Sequence, residues 1–208
     1  KVPRVVFASS SAVYGSNQSR IKKETDQGEL LSPYAVSKFT NEMYAQQFFR
    51  HYELETIGLR YFNVFGPRQD PHGAYAAVIP KWIKALQENQ PLIIYGDGSI
   101  TRDFCSIDDV TEANLQAGWV SRKNNPFGKV FNICSGKEVT LSHLAQMLIN
   151  LWKIKFPQAP PSEVIHQPGR LGDIQQSCGS NQLAKEFLHY KSEVSLQEGL
   201  SRMINALQ

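Results

Sequence analysis

Cysteine is scarce in this 208-residue sequence: Cys105, Cys134 and Cys178 are far apart and odd in number. That excludes a disulfide framework and a cysteine-built zinc site, and it points to reduced thiols in a cytoplasmic protein. No apolar run approaches the ~20 residues of a membrane span, so no membrane partner is expected. An excess of one charge is missing as well. The 22 Lys and Arg set against 19 Asp and Glu leave only +3, and the basic residues are scattered, which argues against nucleic acid. The five histidines (His51, His72, His143, His166 and His189) have no ligand-like spacing, so no metal is expected. There is no internal repeat and no low-complexity segment. What is present is globular composition, 41% hydrophobic and 20% charged,.

The run from Lys1 to Ser10 reads as a buried strand entering a loop, so the chain is expected to begin in mid-fold. Val5 to Ala8 is short and wholly apolar, the pattern of a strand covered on both faces. Residues 11–32 are polar, carry Gly15 and Gly28, and read as a long surface loop. At Ser32-Pro33 a helix begins, with Ser as N-cap and Pro in the first turn. Apolar residues then recur at Ala35, Val36, Phe39, Met43, Tyr44 and Phe48 with helical period. Glu55 to Phe62 follows as a second strand, and strand, helix, strand in that order predicts a parallel unit with a crossover helix.

Beyond it, 63–76 reads as loop, about 76–88 as helix, Leu92 to Tyr95 as strand and Gly96 to Ser99 as turn. Ile107 to Val120 reads as helix and Lys129 to Cys134 as strand. Thr140 caps a helix running to about Trp152, Val164 to Gln167 is a short strand, and helices over about 181–188 and 195–206 close the chain. Alternating strands and helices predict an α/β protein.

Tyr34 and Lys38 carry the first chemical signal. Four residues apart near a helix start, both side chains leave one face. An ammonium beside a phenol favours the phenolate, a usable proton acceptor. The strand ending in Ser9-Ser10-Ser11 comes 24 positions before Tyr34, and a hydroxyl at the carboxyl end of a parallel strand sits where α/β folds bind ligands. The three serines can equally satisfy loop backbone groups, Ser9 in particular.

Five ordered motifs then carry a resemblance. Phe7 to Gly15 (FASSSAVYG), Ser32 to Lys38 (SPYAVSK), Leu59 to Pro67 (LRYFNVFGP), Gly96 to Phe104 (GDGSITRDF) and Gly169 to Asp173 (GRLGD) resemble the extended short-chain dehydrogenases that modify nucleotide sugars. The stretch Tyr61 to Trp82 is especially similar to the 4-epimerases acting on UDP-N-acetylglucosamine or its uronate. The resemblance implies the carboxyl-terminal part of a Rossmann-like doubly wound parallel sheet plus a smaller α/β substrate-binding lobe. Residues 1–65 would form the sheet part. Residues 66–208 would form mainly the sugar lobe, with 92–110 and 129–134 partly returning to the sheet.

It also implies NAD as cofactor, a UDP-sugar as substrate, and a homodimer formed through the helix that starts at Ser32. Ser10 matches the catalytic hydroxyl, Tyr34 the base, and Lys38 the lysine that also holds the nicotinamide ribose. Tyr61 and Val64 fall at the cofactor. Asn63, Val78, Trp82, Tyr95, Arg102, Asn132, Arg170 and Asp173 fall at positions lining the UDP site, where fork-shaped arginines suit a diphosphate.

Ser11 and Ala12 stand where related dehydratases and decarboxylases carry acidic residues, which favours epimerisation without elimination and leaves Ser11 beside the sugar. Ser177, four residues after Asp173, matches the position that limits the sugar pocket, and a small residue leaves room for an N-acetyl group. Gln69 falls in the same pocket wall, or is an ordinary polar surface residue. The sugar itself, N-acetylated, uronate or both, stays open. Such enzymes open with a Gly-x-x-Gly-x-x-Gly turn that binds the cofactor pyrophosphate. None of the 14 glycines here has that spacing, so about half of the sheet is expected to precede Lys1; the alternatives are a non-catalytic UDP-sugar binder and a related nucleotide-sugar decarboxylase or dehydratase.

Overall fold

The computed structural model describes residues 2–73, 77–169 and 174–207. Strand β1 (Arg4–Ser10), helix α1 (Pro33–Tyr52) and strand β3 (Glu55–Tyr61) follow the sequence reading, with β2 (Ile21–Lys22) between β1 and α1. β1 and β3 pair in parallel from Arg4 opposite Glu55 to Ser10 opposite Tyr61. β7 (Lys129–Ile133) joins the other edge of β3 in the same direction. α1 starts where its sequence says it should. Ser32 Oγ accepts from the Ala35 amide, Pro33 occupies the first turn, and Glu53 ends the helix at φ 54°. The side-chain cap satisfies one of the amides a helix start leaves bare.

A second, mixed sheet is assembled from β4 (Asn63–Phe65), β6 (Thr101–Ser106), β8 (Glu138–Thr140), β10 (Gln176–Gly179) and β2. Its order is β2-β10-β6-β4, with β8 antiparallel to β6. β5 (Leu92–Tyr95) and β9 (Val164–Gln167) form a separate parallel pair. The helices α2 (Val78–Gln87), α3 (Ile107–Trp119), α4 (Leu141–Lys155), α5 (Gln182–Leu188) and α6 (Leu196–Asn205) complete the described elements. Ser106, Thr140 and Ser195 cap α3, α4 and α6 through their hydroxyls.

Two cores result. One gathers Ile57, Leu59, Phe131, Ile133, Ala113 and Leu188 from β3, β7, α3 and α5. The other gathers Phe65, Ile79, Trp82, Leu92, Leu144, Leu148 and Leu200 around α2, α4, α6 and β5. β3 is buried along six of its seven residues, as an interior parallel strand should be. The three cysteines are buried and free, and burial pushes the Cys105 and Cys178 thiols up to about 12. No helix of the described residues is long and apolar enough to cross a membrane.

Three expectations are corrected. Residues 11–32 are not simply a surface loop: Ser11–Tyr14 forms a 3-10 turn with Val13 and Tyr14 buried, and β2 adds an edge strand. Residues 63–65 are a strand, because Val64 pairs in register with Cys105 of β6. The apolar period of α1 marks the helix but not its inner face. Only Ala35 and Glu42 are buried, while Val36, Met43, Tyr44 and Phe48 are exposed.

The sheet tolerates no side chain at Gly58. A Cβ there would lie 2.7 Å from the Phe7 ring and 2.8 Å from Val130 Cγ1. Gly58→Ala is therefore expected to destabilise the fold by about 1–3 kcal/mol through overpacking, read as a lower urea midpoint at unchanged slope. A neutral midpoint would contradict the β1-β3-β7 packing.

Candidate functional site

The first group of candidate residues lies at the carboxyl ends of β1 and β3. Ser10 ends β1 and caps the 3-10 turn, its Oγ accepting from the Ala12 amide at 3.1 Å. Ser11 opens that turn. Tyr34 is the second residue of α1 and is 54% exposed, so its ring is available to a ligand. One turn on, Lys38 Nζ donates to Ala8 O at 3.0 Å and lies 5.6 Å from the centroid of the Tyr34 ring. That bond draws the Tyr34/Lys38 face of α1 to the end of the strand that presents Ser10. A cation, a phenol and a hydroxyl thus meet at one strand end, a set suited to moving a proton.

Under this group runs a buried polar network that the motif reading missed. Ser9, 2% exposed, points the opposite way from Ser10, as alternation along a strand requires, and donates to Glu42 Oε1. Glu42, one turn beyond Lys38 on α1, takes two guanidinium bonds from Arg60 of β3, at 2.9 and 2.7 Å. The Arg60 Nη1 donates to Glu24 O, and its guanidinium lies 5.0 Å from the centroid of the Tyr14 ring. Burial works against the Arg60 charge, but the Glu42 bonds outweigh it and hold the guanidinium above its ordinary range.

Tyr14 Oη donates to Asn132 Oδ1 at 2.5 Å, and Asn132 Nδ2 donates to Lys22 O and Ser180 O. Burial pushes the Tyr14 hydroxyl up. The signal for the network is a spacing: Lys38 and Glu42 sit at i and i+4, so an acidic side chain follows the lysine on the same helix face.

The second group encloses a cavity of about 500 Å³. Asn63, Val64, Val78, Trp82, Tyr95 and Arg102, all candidates from the sequence, line it together. β4 supplies Asn63 and Val64 directly beyond the end of β3. Asn63 is fixed by a bond from Nδ2 to Asp103 O, and Trp82 by one from Nε1 to Ile93 O. Arg102 Nη1 donates to Thr101 O and Ile174 O. Ala77, Lys81 and Ala85 also line the cavity. They lie one turn apart on the face of α2 that carries Val78 and Trp82, which is the periodicity that could have found them.

The cavity wall is braced by Asp103, which is fully buried between Arg102 and Phe104. Its carboxylate accepts from Ser135 N and Oγ, Gly136 N and Gly179 N. Burial raises its pKa, and those same bonds oppose the rise. The Gly179 bond ties β10 to β6, and Ser177 of β10 stands opposite Arg102 in register.

Other candidates fall elsewhere. Asn132 is 0% exposed and spends both ends of its amide inside the network, so it is a scaffold residue and not a ligand of a bound nucleotide. Tyr61 turns toward α3, its hydroxyl donating to Asn114 Oδ1 at 3.0 Å. Gln69 Nε2 donates to Val64 O at 3.3 Å, and its buried Oε1 has no partner. Gln69 does not line the cavity. Arg170 and Asp173 lie outside the described residues.

With this geometry in hand, the comparisons have a clear reading. Residues 1–134 match the NAD dependent epimerase/dehydratase family. A UDP-glucose 4-epimerase of Mycolicibacterium smegmatis is 33% identical over 204 residues, covering 98% of this chain and 62% of that protein. The structure of a UDP-N-acetylglucosamine 4-epimerase from Methanobrevibacter ruminantium in complex with UDP-N-acetylmuramic acid matches with a TM-score of 0.87 at 33% identity, covering 98% of this chain and 62% of that one. A UDP-glucuronic acid 4-epimerase from Bacillus cereus, in complex with UDP-glucuronic acid and NAD, matches at 0.84 and 28% identity, covering 99% of this chain and 61% of that one. The chain spans about three fifths of the length of these relatives.

The reassignment of Asn132 is testable. Asn132→Ala strands the Tyr14 hydroxyl and two carbonyls in the interior and is expected to cost about 2–4 kcal/mol of stability, while UDP affinity measured by calorimetry on the folded variant stays within twofold. Loss of UDP binding at unchanged stability would restore Asn132 as a ligand.

Proposed function

Because the chain belongs to the NAD dependent epimerase/dehydratase family, we propose that it carries the proton-transfer and nucleotide-binding half of a UDP-sugar 4-epimerase. The observation that supports this best is the grouping of six residues matched by the resemblance, Asn63, Val64, Val78, Trp82, Tyr95 and Arg102, around one cavity. Beside this stands the bond from Lys38, one turn after Tyr34 on α1, to Ala8 O near the end of β1.

The family implies NAD, and the residues fit one end of it. Lys38 and Tyr34, side by side on α1, present the cation and phenol that a nicotinamide ribose needs, and Val64 offers an apolar wall. The pyrophosphate end has no counterpart, since the 208 residues contain no Gly-x-x-Gly-x-x-Gly turn. Held there, NAD would supply a hydride acceptor for the sugar C4 and the donor that returns the hydride.

Tyr34 Oη exchanges the O4 proton, with the Ser10 hydroxyl bridging phenol and sugar. Lys38 keeps the phenol paired with a positive charge. Arg102 faces the diphosphate with a planar, fork-shaped donor set, and Arg170 and Asp173 join it on the strength of their motif. Trp82 and Val78 wall the base. Ser177, beside Arg102, is small enough to admit an N-acetyl group, which favours an N-acetylated sugar. Ser11 completes the sugar side, and Gln69, bonded to Val64 O, backs the cavity wall. The exposed Val36, Met43, Tyr44 and Phe48 of α1 suit a homodimer packed helix against helix, and the three buried free thiols suit the cytoplasm.

A second reading, UDP-sugar binding without turnover by this polypeptide, is favoured by the missing glycine turn. Calorimetry separates the two. This chain is expected to bind UDP-N-acetylglucosamine in either case, and tight NAD binding by it would remove the second reading. Absence of UDP-sugar binding would sink both.

In the NAD-loaded enzyme, Tyr34→Phe is expected to lower turnover by about 10²–10⁴-fold with UDP-sugar affinity retained; unchanged turnover would reject Tyr34 as the base. Ser177→Tyr is expected to reduce activity on N-acetylated sugars far more than on UDP-glucose, and equal losses on both would reject the pocket assignment.

A further inference from the structure

We propose that Glu42 is a positioning residue for the proton transfer, acting through Ser9 and Arg60 to hold the Lys38 ammonium on β1 beside Tyr34. The proposal rests on the functional reading above, but its geometry stands apart from it. Three elements must keep a fixed spacing for the site to exist: β1, which ends in Ser10; α1, which carries Tyr34 and Lys38; and β3, from which the cavity wall departs at Asn63. Glu42 is the one described side chain bonded to all three. It belongs to α1, accepts from Ser9 of β1, and accepts twice from Arg60 of β3.

Among the described residues Lys38 makes one hydrogen bond, to Ala8 O, which precedes Ser9 by one residue. The Ser9–Glu42 and Ala8–Lys38 bonds therefore form two adjacent rungs between β1 and α1, one buried and one partly open to solvent. The buried rung sets the distance and rotation of α1 about its own axis. A small rotation would carry Lys38 off the carbonyl and swing Tyr34 with it. The same buried rung commits the Ser9 hydroxyl inward, so Ser10 is left as the hydroxyl that faces a ligand.

A role confined to stability would lower the unfolding midpoint without changing the bound geometry of Lys38 in the folded protein. Ser9→Ala is the cleanest probe, because it removes one rung and leaves the Glu42–Arg60 pair intact. Glu42→Gln keeps the shape and removes the charge. The first readout is nuclear magnetic resonance of this chain with its lysine side chains isotope-labelled, the Lys38 signal being assigned by its loss in Lys38→Arg. In folded Ser9→Ala, side-chain relaxation is expected to show Lys38 released from its restricted state, while UDP affinity by calorimetry stays within twofold.

The second readout is turnover in the NAD-loaded enzyme. There kcat is expected to fall about tenfold for Ser9→Ala and further for Glu42→Gln, with KM for the UDP-sugar unchanged, as misplacement of reacting groups predicts. Lys38 equally restrained in Ser9→Ala and in the parent chain would overturn the proposal, and so would unchanged kcat in both variants. If the unsubstituted enzyme binds NAD and UDP-sugar but turns nothing over, the functional reading fails, and the Lys38 relaxation alone decides the positioning role.

Discussion

The pairing of Glu42 with Arg60 is the constraint on which the arrangement of this chain depends. Both side chains are nearly sealed from solvent, at 6% and 4%, so each charge has given up its hydration. A buried pair recovers that cost only when its geometry is good and its remaining lone pairs and protons are used. Here they are used. Glu42 takes two bonds from Arg60 and a third from Ser9, and Arg60 spends its remaining donors and its face on Glu24 O and Tyr14. The pair is thus less a source of net stability than a specification. Sliding α1 along β1, or shifting β3 by one residue, would leave one charge buried without its partner. That alternative is costly enough to be excluded, so the strand end and the helix start meet in one way.

The wall of the cavity has an anchor of the same kind at Asp103. A carboxylate fully inside the protein, between two cavity residues, is satisfied by three backbone amides and one hydroxyl from two separate segments. Those donors come from the turn after β7 and from β10, which also pairs with β6 in the sheet. Glu42 fixes the end of β1 against the start of α1, and Asp103 fixes the cavity wall. The shared neighbour is β7, whose Asn132 belongs to the first network and whose following turn belongs to the second. Both halves of the site are therefore referenced to the same strand, although they draw on different hydrophobic cores.

The sequence was most readable where local rules suffice. Ser32 and Pro33 announce α1 by capping chemistry, and Thr140 announces α4 in the same way. β1, β3 and β7 show as short apolar runs, and β3 is buried along most of its length; β1, expected to be covered on both faces, leaves Val5 and Ala8 exposed at the sheet edge. Illegible were β2, β4 and β10, two to four residues each, together with the longer but polar β6. Their strand character comes from partners far along the chain and not from their own pattern. Asn132 illustrates the limit for the site. A motif places a polar residue on a strand, but whether its amide faces a ligand or the interior depends on Tyr14 and Lys22, more than a hundred residues away. The apolar residues of α1 show the converse. Their period betrays a helix, yet the face turned inward is chosen by Glu42, a residue that any hydrophobic pattern assigns to solvent.

Ser9, Ser10 and Ser11 condense the argument into three identical side chains. Composition cannot distinguish them, and each can donate or accept a single hydroxyl bond. Backbone direction does distinguish them. Ser9 faces inward by strand alternation and is taken up by Glu42. Ser10 leaves the strand at the moment its register with β3 ends, and its oxygen caps the turn from Ala12. Ser11 already belongs to that turn. Because Ser10 is engaged only as an acceptor from a backbone amide, its proton remains available to a ligand, whereas the proton of Ser9 is consumed inside. Which of the hydroxyls is left outside the buried network is therefore set one residue away from Ser10, by a carboxylate that lines no part of the cavity. This is why the buried pair, and not the exposed tyrosine, is the place where the site is specified.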